Sequence, residues 1–137
     1  MAKATTYAND ILDQSYENTG TGTDVIGPTT YTRPYNLALL TTLSTAGAMG
    51  TEFVGGSYAR ISIAAKFATP AASASKANTT AFSFTNMPSG TWADAEVLDS
   101  TGTPKRMNFK GTPSLAKTVN TGDTCSIAIG GFTGTEV

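Results

Sequence analysis

A chain of 137 residues, 14% of them charged and with a formal net charge of −1, has the length of one domain and no electrostatic pull toward nucleic acid or an anionic membrane. It contains no histidine and a single cysteine, which excludes Ser-His-Asp and Cys-His catalysis, an imidazole-based metal site and an intrachain disulfide framework. A surface this poor in charge can be covered by another protein without stranding many ions, as a subunit of an assembly requires.

The first residues, Met1 to Tyr7, place no apolar run after Lys3 and do not read as a signal peptide. No apolar run is long enough to span a bilayer. A protein made in the cytoplasm, neither secreted by the standard route nor embedded in a membrane, is expected. Residues 4–17 carry Tyr7, Ile11 and Leu12 at helical spacing behind the potential caps Thr5 and Thr6, which predicts a helix. The polar stretch 18–24 ends it. Pro28 and Pro34 bracket an extended segment that cannot be a central strand at either proline. Residues 1–34 are therefore read as a helix and extended arm, with Pro28, Tyr31, Arg33 and Pro34 as the arm's contact candidates.

From Tyr35 to Val137 the pattern is all-β and predicts a β-sandwich or jelly roll. Leu37 and Leu39 mark one strand face, and a long small-residue loop runs from about 43 to 56. In 57–67 the odd positions Ala59, Ile61, Ile63, Ala65 and Phe67 alternate with Arg60, Ser62 and Lys66, which predicts a strand with one face on the core. Residues 68–80 read as an exposed low-complexity connection. Phe82 and Phe84 point inward, 88–90 turns, and Trp92 opens a strand in which Ala93, Ala95 and Val97 face the core and Asp94 and Glu96 face water. Residues 99–103 have hairpin-loop chemistry, with Met107 and Phe109 on the return strand. Residues 120–123 predict a second hairpin between 115–119 and 124–129, in which Cys125 is a small buried hydrophobe.

Chemistry is sparse. Asp94 and Glu96 have the spacing of a glycosidase pair but also that of any solvated strand face with two acids. Neither they nor Asp99 and Asp123 fall in a calcium-loop pattern. Lys105, Arg106 and Lys110 form a basic cluster too small for a nucleic-acid footprint, and read as a solvated loop. The Gly-rich stretches 20–24 and 130–134 lack a phosphate-loop ending. No catalytic residue, metal or cofactor is expected.

The segments "YANDILD", "YNLALLTT", "GTEFVGGSYARISIAAKF", "AFSFTNMPSGTWADAEVLDSTG" and "LAKTVNTGDTCSIAIGGF" together resemble, in this order, a family of small tailed-bacteriophage virion proteins, generically labelled tail-fibre or minor structural proteins. The resemblance covers most of residues 5–130. Its specific parts are Gly50-Thr51-Glu52, Gly55-Gly56, Tyr58 with Arg60, Trp92 and residues 118–124. The segment 18–34 is longer than the family's usual connection, and the strand after Trp92 is less apolar. The resemblance implies a virion structural protein. The glycines suit a tight corner, Tyr58 suits a ring laid over the end of the sandwich, and Arg60 suits a pairing with Glu52. Glu52, Gly55, Gly56, Tyr58, Arg60 and Trp92 are accordingly the candidates for a fold and docking element.

Within that class the favoured expectation is a decoration or cement protein on the head, binding the major capsid protein and copies of itself as a homotrimer. The alternative is a tail, baseplate or fibre-attachment subunit bound to tail proteins. A carbohydrate-binding module, with Trp92, Tyr31 and Tyr35 as stacking rings, and a hydrolase using Asp94 or Glu96 are the competing classes.

Overall fold

The computed structural model describes residues 22–26, 28–67, 75–111 and 115–135, and every regular element among them is a β-strand. In chain order these are β1 (Gly22–Ile26), β2 (Thr29–Arg33), β3 (Asn36–Leu40), β4 (Ile61–Ser62), β5 (Ser75–Ala77) and β6 (Phe82–Phe84). They continue with β7 (Gly90–Trp92), β8 (Asp94–Leu98), β9 (Arg106–Gly111), β10 (Lys117–Val119), β11 (Cys125–Ile127) and β12 (Thr133–Thr135). The all-β class agrees with the alternation in the sequence; among the described residues the ladders amount to one four-stranded sheet and four two-stranded pairings, all antiparallel, which does not by itself establish the expected sandwich or jelly roll. The expected helix over 4–17 lies outside the described residues.

Three of the two-stranded pairings are pieces of one ribbon. β6 pairs with β11, Phe84 opposite Cys125, and β7 pairs with β10, Gly90 opposite Val119. Equal lengths of chain intervene on the two sides, so the ladder resumes in the same register. The corner is held where Met87 N–H donates to Asp123 O at 2.9 Å and Gly122 N–H donates to Met87 O at 2.8 Å. Further along, β5 pairs with β12, and Asn78 staples the bend between the two pairings. Its side-chain amide donates to Ala128 O, and its Oδ1 accepts from Phe132 N–H, each at 2.9 Å.

The other ladder is the sheet β4-β3-β8-β9. Because side chains alternate across a strand, Leu37, Leu39, Ala95 and Val97 enter one face. There they meet Phe53, Phe67, Phe82, Phe84, Met87, Trp92, Ile127 and Phe132 in the main core. Ala38, Leu40 and Leu98 lie on the opposite face, against Met49.

That second face corrects the sequence reading. Asp94 and Glu96 are on the outward phase, as the alternation implies, yet both are 0% exposed, because the 41–50 loop folds back over them. Ser44 N–H donates to Asp94 Oδ2 at 3.0 Å, and Ser44 Oγ donates to Glu96 Oε2 at 2.7 Å. Period-two patterning specifies the face of a strand, not whether a loop covers that face.

Other local expectations change for identifiable reasons. The predicted strand over 57–67 shrinks to Ile61–Ser62 plus a bridge from Phe67 to Asn78. The backbone breaks at Ala65, whose φ is +56°, and Ala59 and Ala65 are exposed while Ile63 and Phe67 are buried. The 68–80 connection is not wholly exposed, since Lys76 and Asn78 are buried. The turn at 120–123 forms, with Asp123 N–H donating to Asn120 O at 3.0 Å. Its flanking strands do not form a hairpin, however, because each pairs with a different strand of the 82–92 segment. Arg106 is not a solvated cation: its Nε sits 2.6 Å from Glu96 Oε1, and its Nη2 donates to Thr45 O at 2.9 Å. The 22–34 segment is a hairpin whose turn holds Pro28, with Pro34 just past its end.

Candidate functional site

The 50–60 loop is built on the end of β3. Phe53 N–H donates to Leu39 O at 3.1 Å, Glu52 bridges to Leu40, and the Phe53 ring is buried. These anchors bring Glu52 within reach of the two side chains that follow. Arg60 grips its carboxylate with two hydrogen bonds, Nε to Oε1 at 2.8 Å and Nη2 to Oε2 at 2.7 Å. Two parallel N–H···O bonds use the planar guanidinium fork fully. The Tyr58 hydroxyl donates to Glu52 Oε1 at 2.8 Å and accepts from Leu39 N–H at 2.9 Å. Its ring stacks near Phe84, with centroids 6.0 Å apart.

The electrostatics lock the protonation states. Burial, then the hydrogen bond to Glu52, pushes the Tyr58 phenol far above its ordinary value, and the hydrogen bond to Glu52 raises Arg60. Neither group exchanges a proton near neutral pH, and the hydrogen bonds between them and Glu52 fix the loop.

Beyond the clamp, the loop tip projects outward. Val54 is 86% exposed, and Gly55 and Gly56 follow with φ of +101° and +60°. Gly56 is required twice: its φ is left-handed, and a Cβ there would lie 2.8 Å from Asn86 O. Ser57 N–H donates to Asn86 O at 3.2 Å and Asn86 Nδ2 donates to Ser57 Oγ at 2.8 Å, tying the tip to the 85–88 turn. Thus Glu52, Gly55, Gly56, Tyr58 and Arg60 are brought into one element.

Trp92 is not part of it. Its ring is buried, its Nε1–H donates to Asp94 O at 3.1 Å, and Lys117 Nζ lies 5.4 Å from the ring centroid. Tyr35 is also buried, so two of the three rings considered for sugar stacking have no free face. The shallow cavity beside Trp92, between Lys117, Asp123 and Ser126, holds about 140 Å³, below the roughly 300–1,000 Å³ of ordinary ligand pockets.

The arm candidates sit apart, on the β1–β2 hairpin. Tyr31 packs against the edge of the main core, and Arg33 Nε lies 3.4 Å from Asp24 Oδ2. The sequence reading missed the polar groups that hold the loops: Ser44, Glu96 and Arg106 under the 41–50 loop, and Asp99 beneath the hairpin. One signal was available, because a hairpin closed over 99–103 sets Arg106 opposite Glu96; the observed ladder pairs Arg106 with Leu98 instead and still leaves it within side-chain reach of Glu96.

A family model described as "Podophage GP4 fiber I protein gp80" matches residues 3–135. The chain belongs to that family. It is therefore a member of a tailed-phage virion structural protein family, as the ordered motifs implied. No curated protein and no solved structure matches it.

Proposed function

We propose that the protein is a non-catalytic subunit of the phage tail-fibre apparatus, bound to other virion proteins. The observation that carries this reading is the match to a fibre-protein family over residues 3–135. It favours the tail alternative over the decoration or cement role on the head. The clamped 50–60 loop supports a docking role, since it presents Val54 on a rigid base with both ionisable neighbours held in fixed states.

Two further observations favour an assembly role over an enzyme. Glu96, one of the two carboxylates at glycosidase spacing, is sealed beneath the 41–50 loop by Ser44 and Arg106. The chain has no histidine to serve as a general base. Self-association, including the expected homotrimer, belongs to the same reading, since homo-oligomers are in general built with closed symmetry.

Quantitative mass spectrometry of purified virions tests it. A few to tens of copies per particle are expected. Copies comparable to the major capsid protein would overturn the tail reading in favour of the head lattice, and absence from the particle would overturn both.

A further inference from the structure

The 41–50 loop is closed at its base and shaped from within. Thr41 N–H donates to Thr51 O at 2.6 Å and Thr51 N–H donates to Thr42 Oγ at 2.7 Å, so the two ends meet beside the Leu40–Glu52 bridge. Above this neck, Thr45 N–H donates to Ala48 O at 2.9 Å, and Gly50 N–H donates to Ser44 Oγ at 2.9 Å. A surface loop whose ends are joined and whose own bonds hold its shape is an Ω-loop. Its outer side is open to water, since Thr42, Leu43 and residues 45–48 are exposed.

The ground beneath it differs from the main core. Met49 packs on the small cluster of Ala38, Leu40 and Leu98. The polar contacts run to charged groups: Ser44 N–H donates to Asp94, Ser44 Oγ donates to Glu96, and Arg106 Nη2 donates to Thr45 O. Glu96 and Arg106 stand on adjacent strands, β8 and β9, and pair directly at 2.6 Å. That pair survives without the loop above it. Lifting the loop therefore returns two carboxylates and a guanidinium to water, which repays their desolvation. The rings of the main core, on the opposite face of β3 and β8, stay sealed.

We propose that residues 42–50 are a lid, hinged at Thr41 and Thr51, that opens as one piece over the outward face of β3 and β8 while the main core remains closed. Ser44 is its catch, because one hydroxyl joins the lid to Glu96 and to the lid's own far end at Gly50. Hydration of Asp94, Glu96 and Arg106 offsets much of what opening gives up, whereas opening the other face would expose Phe82 and Phe84. This inference does not rest on the tail-fibre reading.

Hydrogen exchange of the isotope-labelled full chain near neutral pH, read residue by residue by NMR at several low urea concentrations, tests it. The informative amides are those of Ser44 and Gly50, which are buried and hydrogen-bonded on the lid's inner side. Both are expected to exchange at equal protection, at least about tenfold faster than the ladder amides of β3 and β8, as one unit of lower local stability would. Their exchange should depend little on urea, because opening the lid exposes little surface, whereas β3 and β8 follow the steep slope of global unfolding. Ser44→Ala is expected to speed the residue-44 amide by a further factor of about ten, the scale of one charge-assisted hydrogen bond, with β3 and β8 unchanged. Ser44 and Gly50 amides protected as well as those of β3 and β8, or exchanging with the same urea slope, would overturn the proposal. So would a Ser44→Ala variant in which all three regions accelerate together. Should that variant not fold, the wild-type urea dependence still decides it.

Discussion

Arg106→Ala removes the cation that faces Glu96 and leaves a fully buried carboxylate under the 41–50 loop. Taking a carboxylate out of water is costly, and here that cost is offset by the 2.6 Å contact to Arg106 and the 2.7 Å hydrogen bond from Ser44. Breaking a buried pair by deleting one partner costs about 3–5 kcal/mol. The Arg106 side chain is 19% exposed, so water entering the vacated space recovers part of this, and about 2–4 kcal/mol is expected. That is a large share of a total stability of about 5–15 kcal/mol. Glu96→Gln, which keeps a partner for Ser44 and leaves Arg106 near solvent, is expected to cost less, about 1–2 kcal/mol. Urea unfolding of wild type, both single variants and the double variant gives the coupling energy. A loss below about 1 kcal/mol for Arg106→Ala, the range of exposed pairs, would refute the claim that this pair holds the loop down.

In the 50–60 loop, Tyr58→Phe keeps the ring packing but strands Leu39 N–H and removes one of the two donors to Glu52 Oε1; a loss of about 1–3 kcal/mol in chemical denaturation is expected. Gly56→Ala is expected to destabilise by more than about 1 kcal/mol in the same assay, since it combines a left-handed φ with a Cβ against Asn86 O. Asp99 gives a pH signature. Burial alone would raise its carboxyl, but the hydrogen bonds from Lys105, Thr101 and Thr32 outweigh burial and hold it below the ordinary value. Its contribution is therefore complete above the unfolded-state pKa of about 3.9 and is lost as pH falls through the lower folded value. The stability gap between wild type and Asp99→Asn, followed by urea midpoint against pH, should close on acidification below about pH 4. Trp92, the single tryptophan, should emit as a buried indole, and its fluorescence should not respond to added polysaccharide; a saturable response would reinstate sugar binding.

Much of the strand content was legible because alternation reports a face: Leu37 and Leu39, Phe82 and Phe84, and Ala95 and Val97 all enter the core as read. The clamp was legible in part, since Glu52 and Arg60 flank a glycine corner and carry opposite charge. Three things were not. Whether a face is covered depends on a distant loop, so Asp94 and Glu96 read as solvated until Ser44 is seen above them. Which strands pair depends on long-range register, so 117–119 and 125–127 looked like a hairpin although they run along another segment. Trp92 follows a turn and was a candidate for docking and for sugar stacking, whereas the hydrogen bond to Asp94 O and the covering Lys117 place it in the core.

The central claim, a place in the tail-fibre apparatus, is tested most directly by electron microscopy of intact virions labelled with a gold-conjugated antibody fragment against this protein. The account predicts label confined to the tail and its fibres, at few sites per particle. Label spread over the head surface would contradict it.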